Sequence, residues 1–527
     1  MSARRKYRRI RLRDTADFAK AFDMLLSILR APRLGLFVRN IKLEQSPELR
    51  YGFVKTYKLY PAQRALELDD LHRLEEAIKR LGFESVETRE KILNMLLQDP
   101  TTKNNGDGND GSDDDDDYYD DEDLRPPFLA QALAALLVSV SPMLESLSFC
   151  PVGHEEPKLL RLEAEAHGET LTVADYVFKH FLELANTRGK NMPFLQNLRA
   201  VRFLADPKAH GYHNDYQPYD LFGSLNLVRR LPAVESVCVD AISDADTPSI
   251  EPPSCSGNYT CIMIQHSSLS CPYLGCTIDS AKRLEKFTYG IGGRSSVNGM
   301  LRSFHPKCIF QALFAHRASL HQLDLDVEGE TRLLDLISIR HLMYSLEDFT
   351  PAGEEEEEHE QEPPTDDPVY LHEWADELAN LLGEEEEDEQ TPSNSSAEVR
   401  SFRSFLQLKD LSIGIHILYL YARGYGDARP DNESFSLVDH LPPNLESLRI
   451  YGYEKGMKPR LRGVDPNLLE DQLAKLMAEK DEKLPQLAII EGIEELIPNG
   501  VTVEGAGGKD KHWKEEMDDE WTEYEYT

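Results

Sequence analysis

The chain has 527 residues and a formal net charge of −36, with 58 basic against 94 acidic side chains. That length accommodates three or four domains of about 150 residues, or one long repeat array, while the acidity disfavours nucleic acid and anionic membrane surfaces as partners. The longest strongly apolar run, Ala132 to Val138, is far short of the ~20 residues that cross a bilayer.

At the N-terminus, Arg4, Arg5, Lys6, Arg8, Arg9, Arg11 and Arg13 could form an import signal or a phosphate contact. Their alternation with Tyr7, Ile10 and Leu12 fits a charged edge strand at least as well. No apolar stretch follows these basic residues, so a signal peptide is not expected. Seven cysteines are an odd number in a long chain, which fits free thiols in a reducing compartment. The expected location is cytoplasmic and/or nuclear.

Three acidic stretches carry too little apolar content for a core. These are 104–123 with the run Asp113 to Asp117, 351–397 with Glu354 to Glu358 and Glu384 to Glu389, and the tail 505–527. Blocks of like charge repel themselves, so disordered inserts are expected there. The remaining chain divides into a helix-rich start at 1–103, a central region at 124–350 and a C-terminal region at 398–504. Long insertions cost a folded array little, about 0.6 kcal/mol per doubling of loop length.

Between the inserts one spacing returns: apolar, two residues, apolar, one residue, apolar. It occurs at Val38, Ile41, Leu43; Leu144, Leu147, Phe149; Leu198, Val201, Phe203; and Val234, Val237, Val239. It continues at Leu284, Phe287, Tyr289; Leu320, Leu323, Leu325; Leu408, Leu411, Ile413; and Leu445, Leu448, Ile450. The last two positions alternate and so share one face of a short strand; the first sits at the turn that enters it. Phe128, Ala132, Leu133, Leu136 and Leu137 keep the spacing of one helical face. Val177, Phe178, Phe181, Leu182 and Leu184 do the same, as do Leu468, Leu473 and Leu476.

Helix, turn and strand units of this kind stack into a solenoid. The expected fold class is therefore α/β, an irregular leucine-rich-repeat-like solenoid of strands and helices with long disordered acidic inserts. The spacing L-x-x-L-x-L is that of leucine-rich repeats, whose period is about 20–29 residues. Here the copies starting at Leu198, Val234, Leu284 and Leu320 stand 36, 50 and 36 residues apart, and the Asn or Cys that usually follows the strand is missing.

Three segments carry a family resemblance: Tyr7 to Leu12 with the following Phe18 to Arg30 and Pro32 to Leu43; Ser404 to Leu411; and His440 to Leu448. On them the chain resembles the fungal F-box/leucine-rich-repeat proteins. The resemblance implies a substrate-recognition module of a ubiquitin-ligase receptor, with an F-box ahead of the Tyr7 strand and ligase components as partners if that module exists. The sequence begins where the F-box would end, so the F-box is expected to be truncated or absent.

Catalysis is not expected. Cys255, Cys261, Cys271 and Cys276 are separated by five, nine and four residues, and only the last pair has zinc-ligand spacing, so no metal site is expected. Gly290-Ile291-Gly292-Gly293 lacks a phosphate-loop context, His372-Glu373 has no second His at metalloprotease spacing, and no cofactor is implied. Aromatic loops are the better signal, because Tyr is enriched in binding surfaces. Candidate protein-binding residues are Tyr212, His213, Tyr216 and Tyr219 after the third strand, Tyr421 and Tyr425 (with Tyr419) after the Leu408 strand, and Tyr451 and Tyr453 after the Leu445 strand. The expected function is non-catalytic binding of a protein ligand through the strands and their rim loops. The alternative is an acidic scaffold or chaperone that binds basic proteins through its Asp/Glu tracts.

Overall fold

The computed structural model of the chain describes residues 3–44, 64–98, 125–152, 176–205, 216–245, 248–291, 303–327, 332–333, 400–425, 434–457 and 467–493. The three acidic stretches at 104–123, 351–397 and 505–527 lie outside the described residues. The fold is α/β with parallel strands. It forms two compact units, the first from Met1–Leu269 with Cys276–Met300 and the second from Ser270–Gly275 with Leu301–Gly507.

In the first unit, seven strands pair in sequence order. They are β1 (Arg9–Leu12), β2 (Asn40–Leu43), β3 (Ser146–Phe149), β4 (Ala200–Phe203), β6 (Ser236–Asp240), β8 (Cys261–Gln265) and β9 (Lys286–Gly290), every pair parallel. Beside them, β5 (Gln217–Tyr219) and β7 (Ile242–Asp244) form a separate parallel pair. In the second unit, β11 (Gln322–Asp326), β13 (Asp410–Gly414), β14 (Ser447–Tyr451) and β15 (Ile489–Glu491) also pair in parallel and in order. A minor parallel pair joins β10 (Ser303–Phe304) to β12 (Arg332–Leu333).

All eight apolar triplets fall at these strands, and where two of them lie on adjoining strands their middle positions are register partners. Ile41 opposes Leu147, Leu147 opposes Val201, and Val201 opposes Val237; in the second unit Leu323 opposes Leu411, which opposes Leu448. The alternation of the last two triplet positions buries one face of each strand, visible as the burial rhythm of β1, β4 and β8. That face packs on helices. Phe149 of β3 meets Phe178 of the helix Val177–Arg188 at 5.7 Å and Phe203 of β4 at 5.5 Å.

Three further copies complete the series: Tyr7, Ile10 and Leu12 at β1; Tyr259, Ile262 and Ile264 at β8; and Leu487, Ile490 and Gly492 at β15. Tyr259 divides the interval of 50 residues between Val234 and Leu284 into two of 25, within the leucine-rich-repeat range. β1 stands at the edge among the described strands, as the basic alternation predicts for Arg9 and Arg11, whereas Arg4, Arg5 and Lys6 lie on the short helix Ala3–Tyr7.

A recurrent backbone device sets the register. The residue after each leading apolar position offers its carbonyl to two successive N–H groups of the next copy. Arg39 O accepts from Glu145 and Ser146, Arg199 O from Glu235 and Ser236, and Lys409 O from Glu446 and Ser447, all at 2.8–3.0 Å. Side chains at that position alternate in sign where they meet: Arg39 with Glu145 at 3.1 Å and Lys409 with Glu446 at 2.7 Å. Side chains also tie each copy to the one before. Asparagines one residue ahead of the leading position donate to the preceding turn, Asn197 to Pro142 O at 2.9 Å, Asn258 to Leu231 O at 3.0 Å and Asn444 to Leu406 O at 2.8 Å.

The helices that the spacing predicts form at Arg125–Ser139, Val177–Arg188 and Leu468–Lys483, and another precedes them at Thr15–Arg30. Asp14 caps Thr15–Arg30 by accepting from Asp17 N at 2.9 Å. That backbone bond holds its carboxyl below the usual range. No described helix is long and apolar enough to cross a membrane.

Candidate functional site

Strand periodicity leaves the alternate positions of each strand on the face opposite the helices, and that open face carries the polar groups. In the first unit the register row Arg11, Lys42, Ser148, Arg202, Cys238 runs across β1, β2, β3, β4 and β6. Glu44, just beyond β2, accepts from Arg11 Nε at 2.6 Å and Nη2 at 3.0 Å and pairs with Lys42 Nζ at 2.5 Å. Burial raises the Glu44 pKa, but the two cations outweigh it and hold the carboxyl below the usual range. Burial pushes the Cys238 and Cys261 thiols up, with Arg202 partly offsetting this at Cys238, so neither is poised as a nucleophile. At the end of β6, Asp240 accepts from the His266 ring Nδ1 side at 2.7 Å.

In the second unit the corresponding row is Asp324, Ser412, Arg449, Glu491 across β11, β13, β14 and β15. Tyr451, one register step further along β14, donates its hydroxyl to Asp324 at 2.9 Å. The ring therefore spans β13, whose residues at this level are the small Ser412 and Gly414. Burial pushes the Asp324 carboxyl up, only partly offset by Tyr451 and Arg449. Tyr451 itself is raised by burial and by the neighbouring Asp324 charge. Arg449 is engaged by Glu491 at 2.7 and 2.8 Å, which raises its pKa.

The tyrosine candidates separate. Tyr212 and His213 lie outside the described residues. Tyr216, Tyr219, Tyr421, Tyr425 and Tyr451 are buried, as is Tyr419, which corrects the expectation of exposed rim loops. The reason is local folding. Ile415–Arg423 is a helix rather than a loop, and its Tyr421 packs on Phe310 at 4.8 Å and Phe402 at 5.4 Å. Tyr425 meets Phe310 at 5.3 Å. Tyr219 belongs to β5, with its ring near Phe203 and its hydroxyl 2.9 Å from Ser224 Oγ. Tyr453 is half-buried, and Tyr451 reaches across the strand face to bond Asp324.

The cysteines do not converge: Cys255 is exposed, Cys261 lies on β8, and Cys271 and Cys276 belong to the helix Cys271–Asp279. Among the described residues no group of three or more His, Cys, Asp or Glu side chains is placed to hold a metal. Gly290 ends β9, whereas Gly292, Gly293, His372 and Glu373 lie outside the described residues. An open cleft of about 310 Å³ in the first unit is lined by Lys179, Glu183, Asp220, Arg229 and Ser249 among others. Asp220 is committed there to capping the helix Leu221–Val228 through Gly223 N at 2.9 Å. Comparison of the chain with family models, curated proteins and solved structures finds no match.

Proposed function

We propose that the chain is a leucine-rich-repeat-like solenoid that binds a protein ligand through the open faces of its parallel strands, without catalysis, as the substrate-recognition part of an F-box ubiquitin-ligase receptor does. One observation carries the reading. Within each unit the strands follow one another in register, so their outward positions make continuous rows of polar and charged side chains. Such rows suit a protein ligand because adjoining strands about 4.8 Å apart match the side-chain spacing of an extended or folded partner. The half-buried thiols with raised pKa and the carboxylates engaged by neighbouring cations favour binding over chemistry. Engagement of ubiquitin-ligase components belongs to the same proposal and follows from the resemblance of the strand and turn segments. A cytoplasmic and/or nuclear setting likewise fits the free thiols.

The rival reading is an acidic scaffold for basic clients, favoured by the net charge of −36. Capture from native lysate separates the two, using one variant with Arg202→Ala and Arg449→Ala and another lacking 104–123 and 351–397. The proposal expects the first to lose its partners and the second to keep them at high salt. Loss confined to the deletion variant, with binding that collapses in salt, would establish the acidic tracts as the binding element.

A further inference from the structure

We infer that the cleft of about 310 Å³ lined by the helices Val177–Arg188 and Leu221–Val228 binds a small monocarboxylate with an apolar body. The inference goes beyond the protein-binding reading, because no strand residue lines this cleft and its wall belongs wholly to the first unit. Two cations in the wall are its ground. Arg229 donates Nε to Asn226 Oδ1 at 2.9 Å, while its Nη1 is buried and among the described residues has no acceptor. Burial and the neighbouring Arg230 charge both lower the Arg229 pKa, only partly offset by Tyr259, so the guanidinium sits where an anion would relieve it. Lys179 is half-exposed and among the described residues forms no hydrogen bond or ion pair. Glu183, one helical turn further on, acts on it through space alone.

The carboxylates of the wall have donors of their own. Asp220 accepts from Gly223 N at 2.9 Å, Ser249 N at 3.2 Å and Ser249 Oγ at 2.5 Å. Glu183 pairs with the His180 ring Nδ1 at 2.7 Å, and Glu251 is exposed to solvent. The wall thus joins satisfied anions to unsatisfied cations, which suits the uptake of one further negative charge. A carboxylate is the better match than a phosphate. Its planar pair of oxygens fits a guanidinium, whereas a dianion would be repelled more strongly by Glu183, Asp220 and Glu251 in the same wall. Apolar surface supplies the rest of the site. Ile250 is 73% exposed, and Pro151, Val152 and Pro253 line the same cleft. A wall of apolar groups with a few polar ones is that of small-ligand sites, and the volume stands at the lower end of their range of roughly 300–1,000 Å³.

The test is a saturation-transfer NMR titration of the full chain with hexanoate and phenylbutyrate, each matched to its primary alcohol, and with inorganic phosphate as competitor. The expected result is that a carboxylate binds and that its alcohol binds roughly tenfold more weakly. Arg229→Gln should weaken the carboxylate by roughly tenfold, Lys179→Gln by a smaller factor, and Ile250→Glu, which sets a negative charge on an exposed side chain, should abolish binding. Arg80→Gln, on the exposed end of the helix Leu68–Arg80, should leave it unchanged. Should Arg229→Gln unfold, Lys179→Gln and Ile250→Glu, checked by their melting curves, decide the question. Equal binding of acid and alcohol overturns the inference, as does carboxylate binding that survives all three substitutions. Displacement by phosphate at concentrations below those the carboxylates need overturns the ligand class, and the absence of any carboxylate signal overturns the site. None of these outcomes touches the open strand faces, so lysate capture decides the protein-binding reading by itself.

Discussion

Tyr451 and Asp324, 127 residues apart in the chain, are joined by a 2.9 Å hydrogen bond that crosses an intervening strand. Because the Tyr451 ring covers Ser412 and Gly414, the bond orders three strands of the second unit at once. Replacing Tyr451 by Phe keeps the ring and removes the donor. The expected cost is about 1–2 kcal/mol, read from urea denaturation at neutral pH. An unchanged midpoint would mean that the bond is not maintained in solution.

Asp324 gives the second unit a pH dependence of defined sign. Burial raises its folded-state pKa above the unfolded value. The folded protein therefore favours the neutral carboxyl, and the group's stabilising contribution is present at acid pH and lost as pH rises through the folded pKa. Asp324→Asn keeps an acceptor for Tyr451 without the buried charge. The variant should be at least as stable as wild type at about pH 7, with the advantage shrinking by about pH 3. A stability difference that is flat across that range would contradict the assignment.

Tyr259 leads the copy at β8 and is fully buried, with its hydroxyl 2.5 Å from Ser280 Oγ. Burial pushes its pKa up to about 12, so its contribution is intact below the ordinary tyrosine range and declines as pH climbs from about 10 to 12. Tyr259→Phe should cost about 1 kcal/mol at neutral pH and flatten part of the alkaline loss of stability. Ultraviolet titration should show one fewer late-titrating phenol, and an unchanged late phase would count against this placement.

Gly492 occupies the third triplet position at β15 because nothing larger fits. Its φ is +88°, and a Cβ there would collide with the carbonyl oxygen of Ile450 on the neighbouring strand. Gly492→Ala should destabilise the last strand by more than about 1 kcal/mol. Hydrogen exchange should show faster exchange at Ile489 to Glu491. Equal protection in the variant would show that this strand is not docked as described.

The triplet spacing made the parallel strands and their order readable in the sequence, since Leu147, Val201 and Leu411 each have an apolar residue three positions before and another two positions after. Tyr259 escaped because an aromatic leads its triplet and a Cys-Ser-Gly-Asn loop, not a helix, precedes it. Gly492 hid the last copy for the steric reason just given. The tyrosines misled more seriously: Tyr421 looks like a loop aromatic beside Gly424 and Gly426, yet the preceding Ile415, Leu418 and Tyr419 complete a helix whose surface is almost entirely buried. Of the candidate site, local sequence could flag Tyr451 but not Asp324, because their contact depends on the pairing of β11, β13 and β14. The basic row was half visible, with Arg11 in the N-terminal cluster and Arg202 isolated until the register placed them together.

The central claim, that the open strand faces contact the partner, is tested most directly by photo-cross-linking in native lysate. A benzophenone amino acid would be placed singly at Ser236 or Arg449 on the open faces, and at Lys79 or Lys475 on the exposed sides of the helices Leu68–Arg80 and Leu468–Lys483. The account predicts specific cross-linked proteins from at least one open-face position and none from the helix positions. Cross-links confined to Lys79 and Lys475, with Ser236 and Arg449 silent, would contradict it.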